Sequence, residues 1–174
     1  ASFNSAFGFN ALKANTTGAN NTAVGEGAME VNIGGSFNTA MGVSALDANI
    51  SGANNVALGT YSLSANTTAS QNTAVGYSAL NANTTATNNT AVGFNAGLSI
   101  TEGHTNTLIG SEAGDALTTG DENVAVGHGA LDGTTTGNGN TAVGTDSMGK
   151  SNYNASYNTA IGYNTLLSAT SGEQ

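Results

Sequence analysis

Residues 72–97 read NTAVGYSALNANTTATNNTAVGFNAG, and the phrase NTAVG that ends at Gly76 returns unchanged, ending at Gly93. The two glycines are therefore seventeen positions apart. A chain that repeats a phrase in this way has either drifted into low complexity or builds one structural unit per repeat. The regularity of the interval along the rest of the chain decides between the two interpretations.

The same glycine recurs through the whole sequence of 174 residues. Eight of its nine successive intervals are identical, and the last is longer by a single position, which falls in KSNYNASY at 150–157. Low-complexity drift does not preserve such an interval, so we interpret each repeat as one structural unit. The glycine column consists of Gly8, Gly25, Gly42, Gly59, Gly76, Gly93, Gly110, Gly127, Gly144 and Gly162.

An asparagine stands four positions before every one of these glycines. Equivalent residues in successive turns of a parallel β-coil lie about 4.8 Å apart, and amides stacked at that distance can hydrogen-bond to one another. We therefore predict a structural ladder of amides and glycine bends. The first asparagine column consists of Asn4, Asn21, Asn38, Asn55, Asn72, Asn89, Asn106, Asn123, Asn140 and Asn158.

Two columns of large apolar residues flank the glycine, and we predict that they form the core. The valine column, directly before the glycine, consists of Phe7, Val24, Met41, Leu58, Val75, Val92, Ile109, Val126, Val143 and Ile161. The leucine column, four positions after the glycine, consists of Leu12, Met29, Leu46, Leu63, Leu80, Leu131, Met148 and Leu166. Gly97 and Gly114 interrupt the leucine column, and Leu98 and Leu117 lie nearby as substitutes.

A third column consists of small residues. It precedes the valine column and is alanine in every repeat except at Leu108. Strand alternation places this alanine column on the face opposite to the threonine before it and the valine after it. Small side chains predict a close approach, either by the opposite wall of the coil or by another subunit.

These patterns predict an all-β fold, a parallel β-solenoid of ten 17-residue coils. A helix would need apolar residues at spacings of three and four over ten or more positions, which no repeat provides. β-Branched residues before an obligate glycine are typical of a short strand followed by a bend. We predict one solenoid domain over 1–174, either a segment of a longer fibre or a subunit that stacks head to tail. Because each repeat has few large apolar residues, we also expect a narrow coil that forms oligomers.

The composition argues against several classes of function. The chain has two basic residues and a formal net charge of −9, so we exclude nucleic acid as a partner. It has no cysteine, which excludes disulfide bonds and thiolate metal sites. No window approaches the roughly 18 apolar residues of a membrane-spanning helix. We find no pairing of a nucleophile with a base and predict that the chain is not an enzyme.

Histidine and acidic residues suggest no cofactor. His104 and His128 lack partners at metal-ligand spacing. Asp47, Asp115 and Asp132 share one column, where calcium is an alternative, although no calcium-loop signature is present. A solvated acidic face is the interpretation that we favour.

Three surface features suggest binding or modification. Adjacent threonines such as Thr84 and Thr85 recur in register, but an ice-binding face needs two threonine rows separated by one inward residue. Aromatic residues after the glycine, such as Tyr77 and Phe94, offer stacking surfaces for sugars. Asn-x-Ser/Thr sequences that would accept N-glycans in a secreted protein include those at Asn15, Asn49, Asn66 and Asn83.

The phrase N-[ST]-A-[VI]-G, as in NTAVG at 72–76 and NTAIG at 158–162, resembles the head repeats of trimeric autotransporter adhesins. It is similar as well to the repeats of phage tail-fibre proteins. In the adhesin heads such phrases build a left-handed parallel β-roll that trimerises and binds host surfaces. The resemblance therefore implies a homotrimer, an extracellular location, and a cell-surface receptor or glycan as a partner. The 17-residue period and the ANTTG segment depart from the adhesin pattern.

We derive three functional hypotheses from the sequence. The first is a structural or adhesive segment of an extracellular fibre, on a virion or a bacterial surface. The second is a filament of subunits stacked head to tail. The third is a solenoid that binds ice or glycans.

Overall fold

The computed structural model describes residues 1–149, 154 and 156–167. Each copy of the repeated phrase forms a three-residue strand directly before its glycine, and the described residues contain no helix. The strands are β1 (Ser5–Phe7), β2 (Thr22–Val24), β3 (Thr39–Met41), β4 (Val56–Leu58), β5 (Thr73–Val75), β6 (Thr90–Val92), β7 (Thr107–Ile109), β8 (Val124–Val126), β9 (Thr141–Val143) and β10 (Thr159–Ile161).

All ten strands belong to one parallel sheet, in which they follow one another in sequence order. The pairing of Thr73 with Thr90 repeats the interval of the sequence, and only the last pair, Thr141 with Thr159, is longer by a single position. Each repeat is therefore one circuit that returns directly above the last, and nine circuits join the ten strands. The predicted β-solenoid is confirmed.

The glycine after each strand turns the chain out of the sheet. Gly76 has a φ of +136°, which side-chain-bearing residues rarely adopt. A Cβ atom there would also overlap the carbonyl group of Gly93 in the next coil. Positive φ and backbone crowding therefore both require glycine at the predicted bend.

Two consecutive turns follow the glycine and carry the chain to the far side of the coil. Each turn has a left-handed residue at its third position, at Ser78 and Leu80, with φ of 53° and 50°. A left-handed conformation costs a non-glycine residue about 1–2 kcal/mol. Hydrogen bonds between coils maintain it, because the Leu80 N–H donates to the Ala96 carbonyl at 3.0 Å.

The interior of the coil contains the alanine and leucine columns, and the valine column lies outside it. The side chains of Met41 and Ile109 are 49% and 41% exposed. The prediction that the valine column forms part of the core is therefore wrong for each of the eight residues that follow. These residues are half-buried or exposed on the outer face of the sheet: Val24, Met41, Leu58, Val75, Val92, Ile109, Val126 and Val143.

The reason is the width of the coil. Only the middle residue of a three-residue strand points inward, and the leucine column reaches towards it from the opposite wall, leaving room for a methyl group only. The predicted core residues of that wall, Leu46, Leu63, Leu80 and Leu131, are fully buried. The close approach predicted at the alanine column is thus made within the same coil and requires no second subunit.

Leu108 is the one large residue in the alanine column, and the coil adjusts around it. A Cβ atom at Gly97 would lie 2.8 Å from Leu108 Cδ1, and one at Gly114 would lie 2.8 Å from Leu108 Cδ2. Leu108 therefore fills the space that two absent leucine side chains leave. Leu117 is fully buried nearby, as predicted, whereas Leu98 is half-buried and outside the core.

This exchange predicts strong coupling between the three positions. Leu108→Ala should lower stability by about 2–5 kcal/mol because it leaves a cavity, and Gly97→Leu with Gly114→Leu should lower it by overpacking. The triple variant restores the usual repeat and should regain most of the lost stability. Thermal unfolding followed by circular dichroism measures all three. Losses that simply add in the triple variant would contradict this packing.

Candidate functional site

Side chains of the first asparagine column make two kinds of hydrogen bond, one from the main chain of the next asparagine and one to a carbonyl group further along the chain. The Asn89 N–H donates to the Asn72 side-chain oxygen at 2.9 Å, and the Asn72 amide donates to the Ala86 carbonyl at 2.8 Å. Asn72 therefore lies directly beneath Asn89, as predicted, and the ladder is confirmed. The bond that recurs in this ladder runs from the main-chain N–H of one asparagine to the side-chain oxygen of the asparagine below it. Bonds between side-chain amides are added from Asn106 onward, where Asn106 Nδ2 donates to Asn89 Oδ1 at 3.1 Å.

A second asparagine column forms the amide-to-amide ladder that was predicted for the first. Asn66 Nδ2 donates to Asn49 Oδ1 at 2.9 Å and to the Ala69 carbonyl at 3.2 Å. The column lies three positions after the leucine column and faces the interior. Its members are Asn15, Asn32, Asn49, Asn66 and Asn83.

This second ladder corrects the prediction of glycosylation. The nitrogen that would carry a glycan is the buried donor of the ladder at Asn49, Asn66 and Asn83. At Asn15, which is half-buried, it donates to the Gly18 carbonyl at 3.0 Å. Glycan attachment at these four residues would require the coil to open. Sequence reasoning missed the column because four of its five members also fit the Asn-x-Ser/Thr pattern.

The second ladder ends at Asn83. Its side-chain oxygen is buried without a hydrogen bond, because the next residue in the column is Ile100 and the one after it is Leu117. The interior of the coil thus changes from an amide ladder to an apolar filling in the same circuits that contain Leu108. Polar and apolar interiors fit the same circuit length.

The ladder predicts a large effect of a single-atom change. Asn66→Asp would replace a double donor with an ionised oxygen facing two acceptors, and we expect a loss of about 3–5 kcal/mol. Asn20→Asp, which makes the same change at an exposed left-handed position, should have little effect. Thermal unfolding at pH 7 compares them, and equal midpoints would contradict the ladder. Acidification should restore part of the loss, because a protonated carboxyl can donate.

The outer face of the sheet is uncharged over its whole length. It consists of the valine column and of the threonine column, which starts each strand: Ser5, Thr22, Thr39, Val56, Thr73, Thr90, Thr107, Val124, Thr141 and Thr159. Neither column contains a charged residue, although the chain has a net charge of −9. The two columns are separated by the inward alanine column alone. This face is the most regular surface of the described residues.

The adjacent threonine pairs do not form a comparable surface. The first hydroxyl of each pair is used inside the coil stack: Thr67 Oγ1 donates to the Thr84 carbonyl at 3.1 Å, and Thr84 Oγ1 donates to the Thr101 carbonyl at 3.4 Å. The second threonine, as at Thr85, is exposed. At least one hydroxyl of each of these pairs is therefore occupied, and the pairs do not present two rows of free hydroxyls.

Three aromatic residues form a cluster across adjacent coils. Tyr77 and Phe94 stack with ring centroids 5.5 Å apart and an interplanar angle of 13°, and Tyr61 meets Tyr77 edge to face at 6.0 Å. Stacking covers the ring faces that point at each other. The cluster therefore offers sugars less free ring surface than separate aromatic side chains would.

Two residues of the acidic column, Asp47 and Asp115, have raised pKa values. Burial raises the pKa of Asp47, and the neighbouring Glu30 adds to the effect. Burial also raises the pKa of Asp115, with a further contribution from Glu112. In the described residues, no three His, Cys, Asp or Glu side chains come together as a metal site.

These shifts predict that Asp47 and Asp115 contribute more to the stability of the folded protein in acid than at neutral pH. A raised folded-state pKa gives stability that is present below the ordinary aspartate pKa and is lost as the pH rises through the folded value. Asp115→Asn should therefore raise the unfolding midpoint at pH 7 and reduce its rise on acidification. Glu102→Gln at an exposed position removes the same charge and is the control. An unchanged pH dependence in Asp115→Asn would contradict the assignment.

Comparisons of the chain with models of known protein families, with curated proteins and with solved structures find no match. The resemblance to adhesin heads and tail fibres therefore stays a prediction. Across the described residues, no helix has the length and apolar character needed to span a membrane.

Proposed function

We propose that this chain is a structural segment of an extracellular fibre, in which the stacked coils form a stiff rod. The carrying observation is that successive circuits of the described residues are hydrogen-bonded to one another at the sheet, at the turns and in the interior. The strands pair in one sheet, the turns donate from coil to coil, and the first asparagine column connects the interior along the sheet. The second asparagine column adds to these bonds between Asn15 and Asn83. Such a stack resists bending and leaves few main-chain groups open to proteases.

The dimensions also support this role. Nine steps of about 4.8 Å give a rod about 43 Å long, and further coils would lengthen it without changing its cross-section. A mechanical function requires neither a catalytic group nor a cofactor, and we propose none. A receptor or glycan contacted by the rod, and an extracellular location on a virion or cell surface, are parts of the same proposal.

Lengthening can occur at the edges of the sheet. Within the described sheet, β1 and β10 each pair with one strand, and unpaired edges are templates for another strand. A further coil of the same chain or the first coil of another copy would continue the ladder. The resemblance adds lateral trimers as a second form of assembly, although the alanine column is already covered within its own coil.

Small-angle scattering, light scattering and electron microscopy of the purified chain test this proposal. We expect rod-shaped particles and, at high concentration, filaments of constant width. The Ser5 N–H donates to the Asn21 carbonyl at 2.9 Å, so alternation directs the Ala6 N–H to the free edge. Ala6→Pro should therefore stop elongation but leave the rod intact.

Each measurement separates one part of the proposal. A compact particle would contradict the rod, and monodisperse single rods at all concentrations would contradict head-to-tail assembly. A mass of three chains that Ala6→Pro does not change would support lateral trimers instead.

A further inference from the structure

The outer face of the sheet has a chemistry that the rod does not require. A stack of coils would be equally stiff with charged or irregular side chains on this face. All ten strands nevertheless present one residue of the threonine column and one of the valine column, with no charged residue among them. This pattern indicates a surface that contacts something uncharged and periodic.

The two columns form a regular two-dimensional array. Strands follow one another at about 4.8 Å along the rod, and the two outward residues of each strand lie about 6.6 Å apart. Register is constant from β1 to β9, because every pair in that range keeps the same offset along the chain. The most uniform part is β5 with β6, where Thr73 and Val75 lie beside Thr90 and Val92.

The hydroxyls on this face are free to bind a ligand. Among the described residues, the hydroxyls of Thr73, Thr90 and Thr107 make no hydrogen bond to the protein. By contrast, Thr67 and Thr84 on the far side of the coil use theirs to bond to the next coil. Threonine and valine are β-branched, so few χ1 rotamers are open to them. The hydroxyl and methyl groups of the two columns are therefore restricted to a few orientations.

We propose that this face, made of the threonine and valine columns, binds ice. The array repeats at about 4.8 Å by 6.6 Å, which is of the same order as the distances between oxygen atoms on the faces of hexagonal ice. The hydroxyls can donate to and accept from lattice water. The valine column takes the place of the second threonine row expected of an ice-binding face, and its methyl groups order water without competing for hydrogen bonds. An uncharged surface does not retain the strongly bound, disordered hydration that charged side chains hold.

The dimensions of the face disfavour a second copy as its occupant. A strip about 43 Å long and about 10 Å wide offers roughly 430 Å², whereas a stable protein interface buries about 800 Å² on each partner. Ice requires no such minimum, because its surface continues beyond the protein and many weak contacts act together. The proposal needs only the rod, not the fibre, although a fibre would multiply the sites.

Thermal hysteresis and incorporation into slowly growing ice test the proposal on the whole chain. We expect both for the natural sequence. Thr73→Lys with Thr90→Lys should lose most of the hysteresis, because two charged side chains would interrupt the centre of the array. The matched control is Thr68→Lys with Thr85→Lys, which places the same two charges at exposed positions on adjacent coils away from the sheet; it should retain the activity.

A milder variant protects the test from misfolding. Thr73→Val with Thr90→Val removes only the hydroxyls, as occurs naturally at Val56 and Val124, and should reduce hysteresis several-fold with an unchanged unfolding midpoint. Absence of hysteresis in monodisperse natural protein would overturn the proposal. Equal activity of the two lysine variants would overturn it too. So would sedimentation showing a dimer that Thr73→Lys with Thr90→Lys dissociates. None of these results would alter the evidence for a rod or a filament.

Discussion

Most polar groups inside a coil find a partner in the coil above or below, and this pairing governs the whole molecule. A single circuit has too little interior to stabilise itself by apolar burial. Its main-chain groups and its asparagine columns are satisfied where the next circuit repeats the same atoms at the same height, and the Asn83 side-chain oxygen loses its partner where that repetition stops. A change of register would break all of these bonds together, which explains why the interval is so strictly kept.

The narrow interior determines which residues are tolerated in each column. Alanine on the sheet side meets leucine on the turn side, and the one exchange, Leu108 opposite Gly97 and Gly114, preserves the filled volume. The second asparagine column obeys the same rule with polar groups, and gives way to Ile100 and Leu117 in the circuits that contain Leu108. Packing here is maintained by total volume across adjacent coils and not by residue type within one column.

Because the interior is so narrow, the large β-branched residues of the strands lie on the outer face. This position gives the rod a charge-free strip in an acidic molecule, and the remaining sides contain the exposed acidic, amide and aromatic residues. The outer face of the sheet and the remaining sides of the rod therefore differ in how their hydroxyl groups are used. Away from the sheet, the hydroxyls of Thr67 and Thr84 bond to the next coil, whereas the hydroxyls on the sheet are available to solvent or to a ligand.

The order of residues was enough to predict the solenoid, its period, the ladder at Asn72 and the bend at Gly76, because an invariant interval leaves one way to stack the repeats. It was not enough to predict which side of the strand faces inward. Alternation places Ala74 on the face opposite to Thr73 and Val75. Which face is the interior depends on the leucine column, which the two turns with left-handed residues bring opposite Ala74. The second ladder at Asn66 likewise emerged only from the folded coil, since the depth of a side chain depends on how the turns close the circuit.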